Sequence, residues 1–415
     1  MIANAKRTPL ERVNVHDWHP YYAGYSESFV RSVINKEITN LDQDSIILDP
    51  WVGSGTTGIV CQKLGFNSIG VDVNKAMAVF SSAKASSLIN QKQVLDGCLS
   101  RIIDRARKSR KKVDASHLRE IMSEELGTKV IKLLLSIKEE FRLEHSSTGK
   151  LNPIESFFKA VLLVTNRKVM GYKKGSNPTW FNKTEPNQRI SFKTLAACFQ
   201  KNYEDMVKDL DTVYNGIKIS NFNVFEASST SLPVPDSSVD LIITSPPYLT
   251  RIDYAVSTQV ELLLLSGKDG YRDVRENTIG TTAIYSQEKF GKKEWGNLCN
   301  DVIDSINNHY SYASQNYYVK NKIQYFDSTY RSLKELYRVM KSNTSAYLVI
   351  QNSYYKEVPI DLPSIYREMA VNIGFSKTES MRKDDLRITM ASINSKSKKY
   401  TDNKVYYEEI IRIKK

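Results

Sequence analysis

Val239-Asp240-Leu241-Ile242-Ile243-Thr244-Ser245-Pro246-Pro247-Tyr248 is the stretch on which the fold is decided. Val239 to Ile243 is short, mostly apolar and rich in β-branched residues, which reads as a buried parallel strand. The run stops at Pro246 and Pro247. Neither proline can donate to a strand ladder and both fix φ, so the chain leaves the sheet as a rigid extended turn. That turn lifts Ser245 and Tyr248 off the carboxyl end of the strand, the edge where open α/β sheets bind ligands.

A hydroxyl, the carbonyls beside two prolines and an aromatic ring suit a planar ring that bears an amino group. The exocyclic amine of cytosine or adenine is a poor nucleophile, because its lone pair is conjugated into the ring. Acceptors on its N–H groups would favour a pyramidal nitrogen with that lone pair released. Ser245 Oγ and the Ser245 or Pro246 carbonyl would supply them, with Tyr248 stacked on the base. The plainer reading is a Pro-Pro loop after a core strand with an ordinary surface tyrosine, since turn chemistry needs no ligand.

A second motif bears on that choice. Ile46-Ile47-Leu48 reads as a strand running into Asp49-Pro50-Trp51-Val52-Gly53-Ser54-Gly55-Thr56-Thr57-Gly58, with a helix after it and a further strand, Ser68 to Asp72. Gly53, Gly55 and Gly58 have the spacing Gly-x-Gly-x-x-Gly, and Asp72 falls at the tip of the second strand. Such a βαβ unit binds nucleosides. Its glycines let the backbone approach the ligand, and the strand-end carboxylate accepts from ribose hydroxyls. A bare glycine turn is the alternative. Asp49 opens the loop with a carboxylate suited to an amino group and hostile to phosphate, which favours an aminoacyl nucleoside such as S-adenosylmethionine over a dinucleotide.

At 415 residues the chain can bury a large core and exceeds one typical structural unit. A formal net charge of +13 suits a polyanionic partner. Cys61, Cys98, Cys198 and Cys299 are too scattered for a disulfide framework or a zinc site, and the five histidines form no ligand cluster. No metal is expected. The first residues lack the apolar core of a signal peptide, and the longest aliphatic run, Ala160 to Val164, is far too short to span a bilayer. The expectation is a cytoplasmic protein.

Between the motifs lie helical patterns from about 76 to 215. Val130, Ile131, Leu133, Leu134, Ile137 and Phe141 form one broad stripe, the usual mark of core. Arg101 to Lys112 is a basic run whose default is a solvated helix face. Asn166 to Lys183 interleaves Arg167, Lys168, Lys173, Lys174 and Lys183 with Tyr172, Trp180 and Phe181, a composition suited to phosphate and base contact or to an ordinary structured loop. The α/β pattern resumes with a strand at 223–225. Helices follow at 260–265, 330–340 and 360–372, with strands at 345–350 and 406–413. The alternation of the last strand suggests an edge position.

Taken together, the motifs resemble those of S-adenosylmethionine-dependent amino-group DNA methyltransferases. Asp49 to Thr57 is similar to that family's donor-binding loop, and Thr244-Ser-Pro-Pro-Tyr248 to its catalytic motif. His19-Pro-Tyr-Tyr-Ala-Gly-Tyr-Ser26 resembles the N-terminal motif that helps hold the methionine end of the donor. The resemblance covers roughly 15–90 and 220–355, plus a final strand. It implies a Rossmann-like class I methyltransferase sheet, α/β, with helices on both faces. Residues 1–90 would carry the donor loop, 91–215 a helical insertion for DNA recognition, and 216–415 the catalytic motif. Tyr22, Asp49, Gly53, Gly55, Thr56 and Asp72 would hold the donor; Ser245, Pro246, Pro247 and Tyr248 would hold the flipped base. Arg167, Lys168, Lys173, Lys174 and Trp180 would contact DNA.

The implied partners are double-stranded DNA and a cognate restriction endonuclease acting separately, with no membrane. Serine ahead of the two prolines is typical of N4-cytosine enzymes, whereas N6-adenine enzymes more often carry aspartate or asparagine. RNA methylation is the nearest rival, and a nicotinamide-dependent oxidoreductase the rival from another class. Two features depart from the family pattern. Where it commonly has an acid after the third strand, facing the donor's adenine, this chain has Ser228, with Glu226 two residues earlier. The long insertion also precedes the third strand.

Overall fold

The computed structural model describes all residues except 21–23, 143–148, 171–188, 250–252, 286, 289 and 387–403. Its centre is a seven-stranded sheet in the order β3-β2-β1-β4-β5-β9-β8. The strands are β1 (Ile46–Asp49), β2 (Asn67–Asp72), β3 (Phe222–Glu226), β4 (Val239–Thr244), β5 (Met340–Gln351), β8 (Lys377–Leu386) and β9 (Tyr406–Lys414). A separate small hairpin pairs β6 (Ser353–Tyr355) with β7 (Val358–Ile360). β1 to β5 run parallel, and β9 lies antiparallel to both β5 and β8.

The helices are α1 (Glu27–Glu37), α2 (Thr56–Leu64), α3 (Lys75–Ser82), α4 (Lys92–Lys108), α5 (Glu124–Glu140), α6 (Pro153–Val169), α7 (Phe192–Tyr214), α8 (Tyr254–Ser257), α9 (Gln259–Asn277), α10 (Asn297–Asn307), α11 (Val319–Val339) and α12 (Leu362–Ile373). Because strand side chains alternate, each central strand feeds two cores. Ile47, Leu241, Ile243, Tyr347 and Val349 pack against α1 and α2. Leu48, Ile242, Ala346, Leu348 and Ile350 pack against α10, α11 and α12. With both faces covered, these strands read as continuous apolar runs. The helices α4 to α7 share a third apolar cluster with α3 and α9. Val130, Ile131, Leu133, Leu134, Ile137 and Phe141 are all buried in it. The basic run from Arg101 keeps to the outside, where Arg101 and Arg105 pair with Glu140 at 2.7 and 3.0 Å.

Two expectations need correcting. β9 is not an edge strand: Glu408 to Lys414 pairs with β5 on one side and Lys377 to Leu386 takes the edge on the other. The short helix expected at 260–265 is part of α9, which turns at Gly267 (φ 71°) and continues to Asn277. The polar, tyrosine-rich section before 325 holds α10 and the first turns of α11. No helix among the described residues is long and apolar enough to cross a membrane.

Candidate active site

Strand order reverses between β1 and β4, and crevices at such reversals are where open α/β sheets take ligands. The loop leaving β1 is shaped by two glycines in the left-handed region, Gly53 (φ 47°) and Gly55 (φ 84°), the latter capping α2. Gly58 serves packing instead: a Cβ there would lie 2.2 Å from the Phe222 ring. The loop is tied down at each carbonyl and amide that matters. Val52 N–H donates to Val71 O at 2.9 Å, Ser81 Oγ donates to Gly53 O at 2.7 Å, and Lys84 Nζ donates to Ser54 O at 2.8 Å.

Asp72 ends β2 and accepts from Gly53 N–H at 2.9 Å and Asn74 N–H at 2.8 Å. Burial pushes its carboxyl up to about 7, against the pull of those two amides. Past β3, Ser228 and Ser229 line the same cavity, while Glu226 is paired with Lys75 at 3.0 Å. The departure from the family's acidic position is therefore real in three dimensions: serine hydroxyls stand there.

Asp49 does something other than expected. It is 1% exposed and lies beneath the cavity, outside its lining. Its Oδ2 accepts from Tyr25 OH at 2.5 Å; its Oδ1 accepts from Thr244 Oγ1 at 2.6 Å and Trp51 N–H at 3.2 Å. Burial raises its pKa, with those donors opposing. Asp49 thus fastens the N-terminal segment to the glycine loop and to the residue before Ser245. Tyr25 OH also bonds Thr57 Oγ1, which donates to Ile243 O at 3.3 Å.

The Ser245–Tyr248 turn is similarly braced. Ser245 Oγ donates to Val349 O at 3.2 Å and lies 3.5 Å from Tyr248 OH. Tyr248 OH donates to Glu408 Oε2 at 2.8 Å, from β9. Tyr325 OH donates to Pro247 O at 2.9 Å, and Ser353 Oγ to Leu249 O at 2.7 Å. Burial raises the Tyr248 phenol well above its ordinary value, so it is a neutral donor at any physiological pH.

One cavity of about 850 Å³, mouth included, joins these parts. Gly24 and Tyr25, the loop from Pro50 to Ser54 with Thr56, Asp72 to Asn74, Ser228 and Ser229, Ser245 to Tyr248, and Asn277 to Ile279 all face it. Of the expected donor residues, Gly53, Thr56 and Asp72 line it, Gly55 shapes the loop behind, and Tyr22 lies outside the described residues.

Arg167 and Lys168 are placed elsewhere. Arg167, 12% exposed, pairs with Glu261 and has His19 3.2 Å away, so its charge is spent within the fold; Lys168 bonds Asn202 and is exposed. Lys173, Lys174 and Trp180 lie outside the described residues. The sequence reading missed Arg7, Lys84 and Glu408. Only Glu408 carried a signal, as an acid on the last predicted strand. Among the described residues no group of three or more His, Cys, Asp or Glu side chains is placed to hold a metal ion.

A mostly parallel sheet that reverses beside a glycine loop, with a strand-end carboxylate and a Ser-Pro-Pro-Tyr turn on one crevice, defines a Rossmann-like methyltransferase. The comparisons narrow this. The N6/N4 DNA methylase family matches residues 6–81. The type II methyltransferase M.BsoBI of Geobacillus stearothermophilus is 23% identical over 87% of this chain and 79% of its own. M.AvaI of Nostoc sp. is 23% identical over 85% and 78%. M.MjaII of Methanocaldococcus jannaschii is 33% identical over a shorter stretch, 19% of this chain and 14% of its own. Residues 6–81 thus match the amino-group DNA methylase family, and most of the chain is similar to type II DNA methyltransferases.

Proposed function

We propose that this protein methylates the exocyclic amino group of a base flipped out of duplex DNA, with N4 of cytosine as the acceptor. The observation that carries the reading is the single cavity faced by both the glycine loop and the Ser245–Tyr248 turn. The residues fit S-adenosylmethionine as donor. Asp72 keeps lone pairs for ribose hydroxyls beyond the two amides it already holds, and Ser228 and Ser229 offer hydroxyls where the adenine edge would lie. S-adenosylmethionine supplies an electrophilic methyl carbon on its sulfonium.

The chain's own part is orientation. Ser245 Oγ spends its proton on Val349 O, which leaves its lone pairs to accept from the amine. Tyr248, its ring fixed through the phenol, provides a stacking face. Pro246 and Pro247 hold the turn rigid. A buried amine in a duplex is out of reach, so the base must leave the stack. The serine before the prolines supports cytosine, and the net charge of +13 supports a polyanionic substrate. The similarity to type II methyltransferases supports action on a specific duplex site.

Mass spectrometry of nucleosides from the DNA of cells expressing the protein tests this. N4-methylcytosine is expected. N6-methyladenine would reassign the base, and neither modification in DNA would overturn the reading.

A further inference from the structure

Two cations largely shut off from solvent meet an acid: Lys159 has Glu155 at 2.8 Å, and Arg167 has Glu261. Arg7 and Lys84 do not. They are 8% and 1% exposed, and no carboxylate of the described residues lies within ion-pair reach of either. The Arg7 guanidinium donates to Tyr25 O at 3.2 Å, Ser54 Oγ at 3.4 Å and Thr56 Oγ1 at 2.5 Å. Lys84 Nζ donates to Ser54 O at 2.8 Å. Two like charges therefore converge on Ser54, in the glycine loop, and each disfavours the other. Burying a cation without an opposite charge is unfavourable. Beyond Ser54 O, Lys84 has the Trp18 ring, 5.9 Å from its Nζ, and burial with the Arg7 charge lowers its pKa to about 7. An anion nearby would favour the charged form.

Position says where it would sit. Gly24, Tyr25, Ser54 and Thr56 all face the cavity and touch or flank the guanidinium, so Arg7 and Lys84 stand directly behind this stretch of wall, outside the lining; a Cβ on Gly24 would lie 2.8 Å from Arg7. The nine-residue helix α2 begins at Thr56 and adds its positive end to the same spot. Donor binding in the proposed function brings one anion to this loop, the α-carboxylate of the methionyl end. Asp49, which the sequence suggested for that end, is sealed below by Tyr25 and Thr244.

We propose that Arg7 and Lys84, acting from behind Ser54 and Thr56, make this part of the wall, with the first turn of α2, the seat of the donor's α-carboxylate. The inference rests on the methyltransferase reading and adds to it which charges select the amino-acid end.

Calorimetry on the full chain tests it with three ligands. These are S-adenosylhomocysteine, its decarboxylated analogue (same amine, no carboxylate) and 5′-methylthioadenosine. The wild type should bind S-adenosylhomocysteine at least about tenfold more tightly than the decarboxylated analogue, the scale of a charge-assisted contact. Arg7→Met should abolish most of that preference while 5′-methylthioadenosine binds within about twofold of wild type. Lys84→Met should move in the same direction. Equal wild-type affinity with and without the carboxylate overturns the seat, and needs no variant to fold. So does an Arg7→Met chain that weakens all three ligands alike. If no ligand binds the wild type, the donor reading itself fails.

Discussion

The phenol of Tyr248 donates a 2.8 Å hydrogen bond to Glu408, so the ring proposed to stack on the target base is oriented from β9, two strands away from the turn that carries it. Tyr248→Phe keeps the stacking face and removes this anchor. Methyl transfer should fall about tenfold, the value of one hydrogen bond to a charged group. Glu408→Ala should fall by a similar factor, and the double variant little further, because the two act as one unit. Steady-state kinetics on duplex DNA reads this; fully additive losses would separate the two residues.

Ser245→Ala removes the side-chain acceptor for the amine and leaves the donor loop untouched. Transfer should drop by about a hundredfold or more, by analogy with loss of one preorganised polar contact at a reacting centre. S-adenosylhomocysteine should bind the variant as it binds the wild type. Near-normal turnover would refute the assigned role.

Asp72 gives a pH signature. Its ordinary carboxyl value is 3.8 and burial lifts it to about 7, so the folded chain holds a proton that the unfolded chain has lost. This group's contribution to stability is whole below the unfolded value and is lost as pH rises through 7. Donor binding should run the opposite way, since ribose hydroxyls donate to the ionised form. Affinity for S-adenosylhomocysteine should rise about tenfold from pH 6 to 8 and then level off. A flat profile in Asp72→Asn, measured by calorimetry, would assign the effect.

Arg167 is a structural cation. Arg167→Met should strand Glu261 in the interior and lower stability by about 3 kcal/mol, while Arg167→Met with Glu261→Leu should recover much of the loss. Denaturant melts of the three chains decide it. A single variant that is fully stable but binds DNA weakly would restore the surface role.

Gly58→Ala would drive a methyl into the Phe222 ring, 2.2 Å from where the carbon must sit. Overpacking of this kind costs about 2 kcal/mol. Adding Phe222→Leu should return part of it in the same melts.

The sheet's centre was legible because β1, β4 and β5 are covered on both faces and so appear as unbroken apolar runs. β8 was not. Lys377 to Leu386 holds no buried residue, and without it β9 looked like the rim. The glycine loop and the Ser245 turn could be read because their chemistry is local: spacing, prolines and strand ends. What failed was pairing over distance. Arg167 meets Glu261 94 residues away, and Asp49 meets Thr244 195 residues away. A charged side chain says nothing in one dimension about whether its partner is a ligand, a solvent face or another part of the chain.

The placement of β9 has a bearing on synthesis. It slots between two strands made before it, so while it is still within the ribosome β5 has an open flank and Tyr248 lacks Glu408. A nascent chain can assemble the donor loop early, yet its acceptor pocket is finished only when this late strand docks.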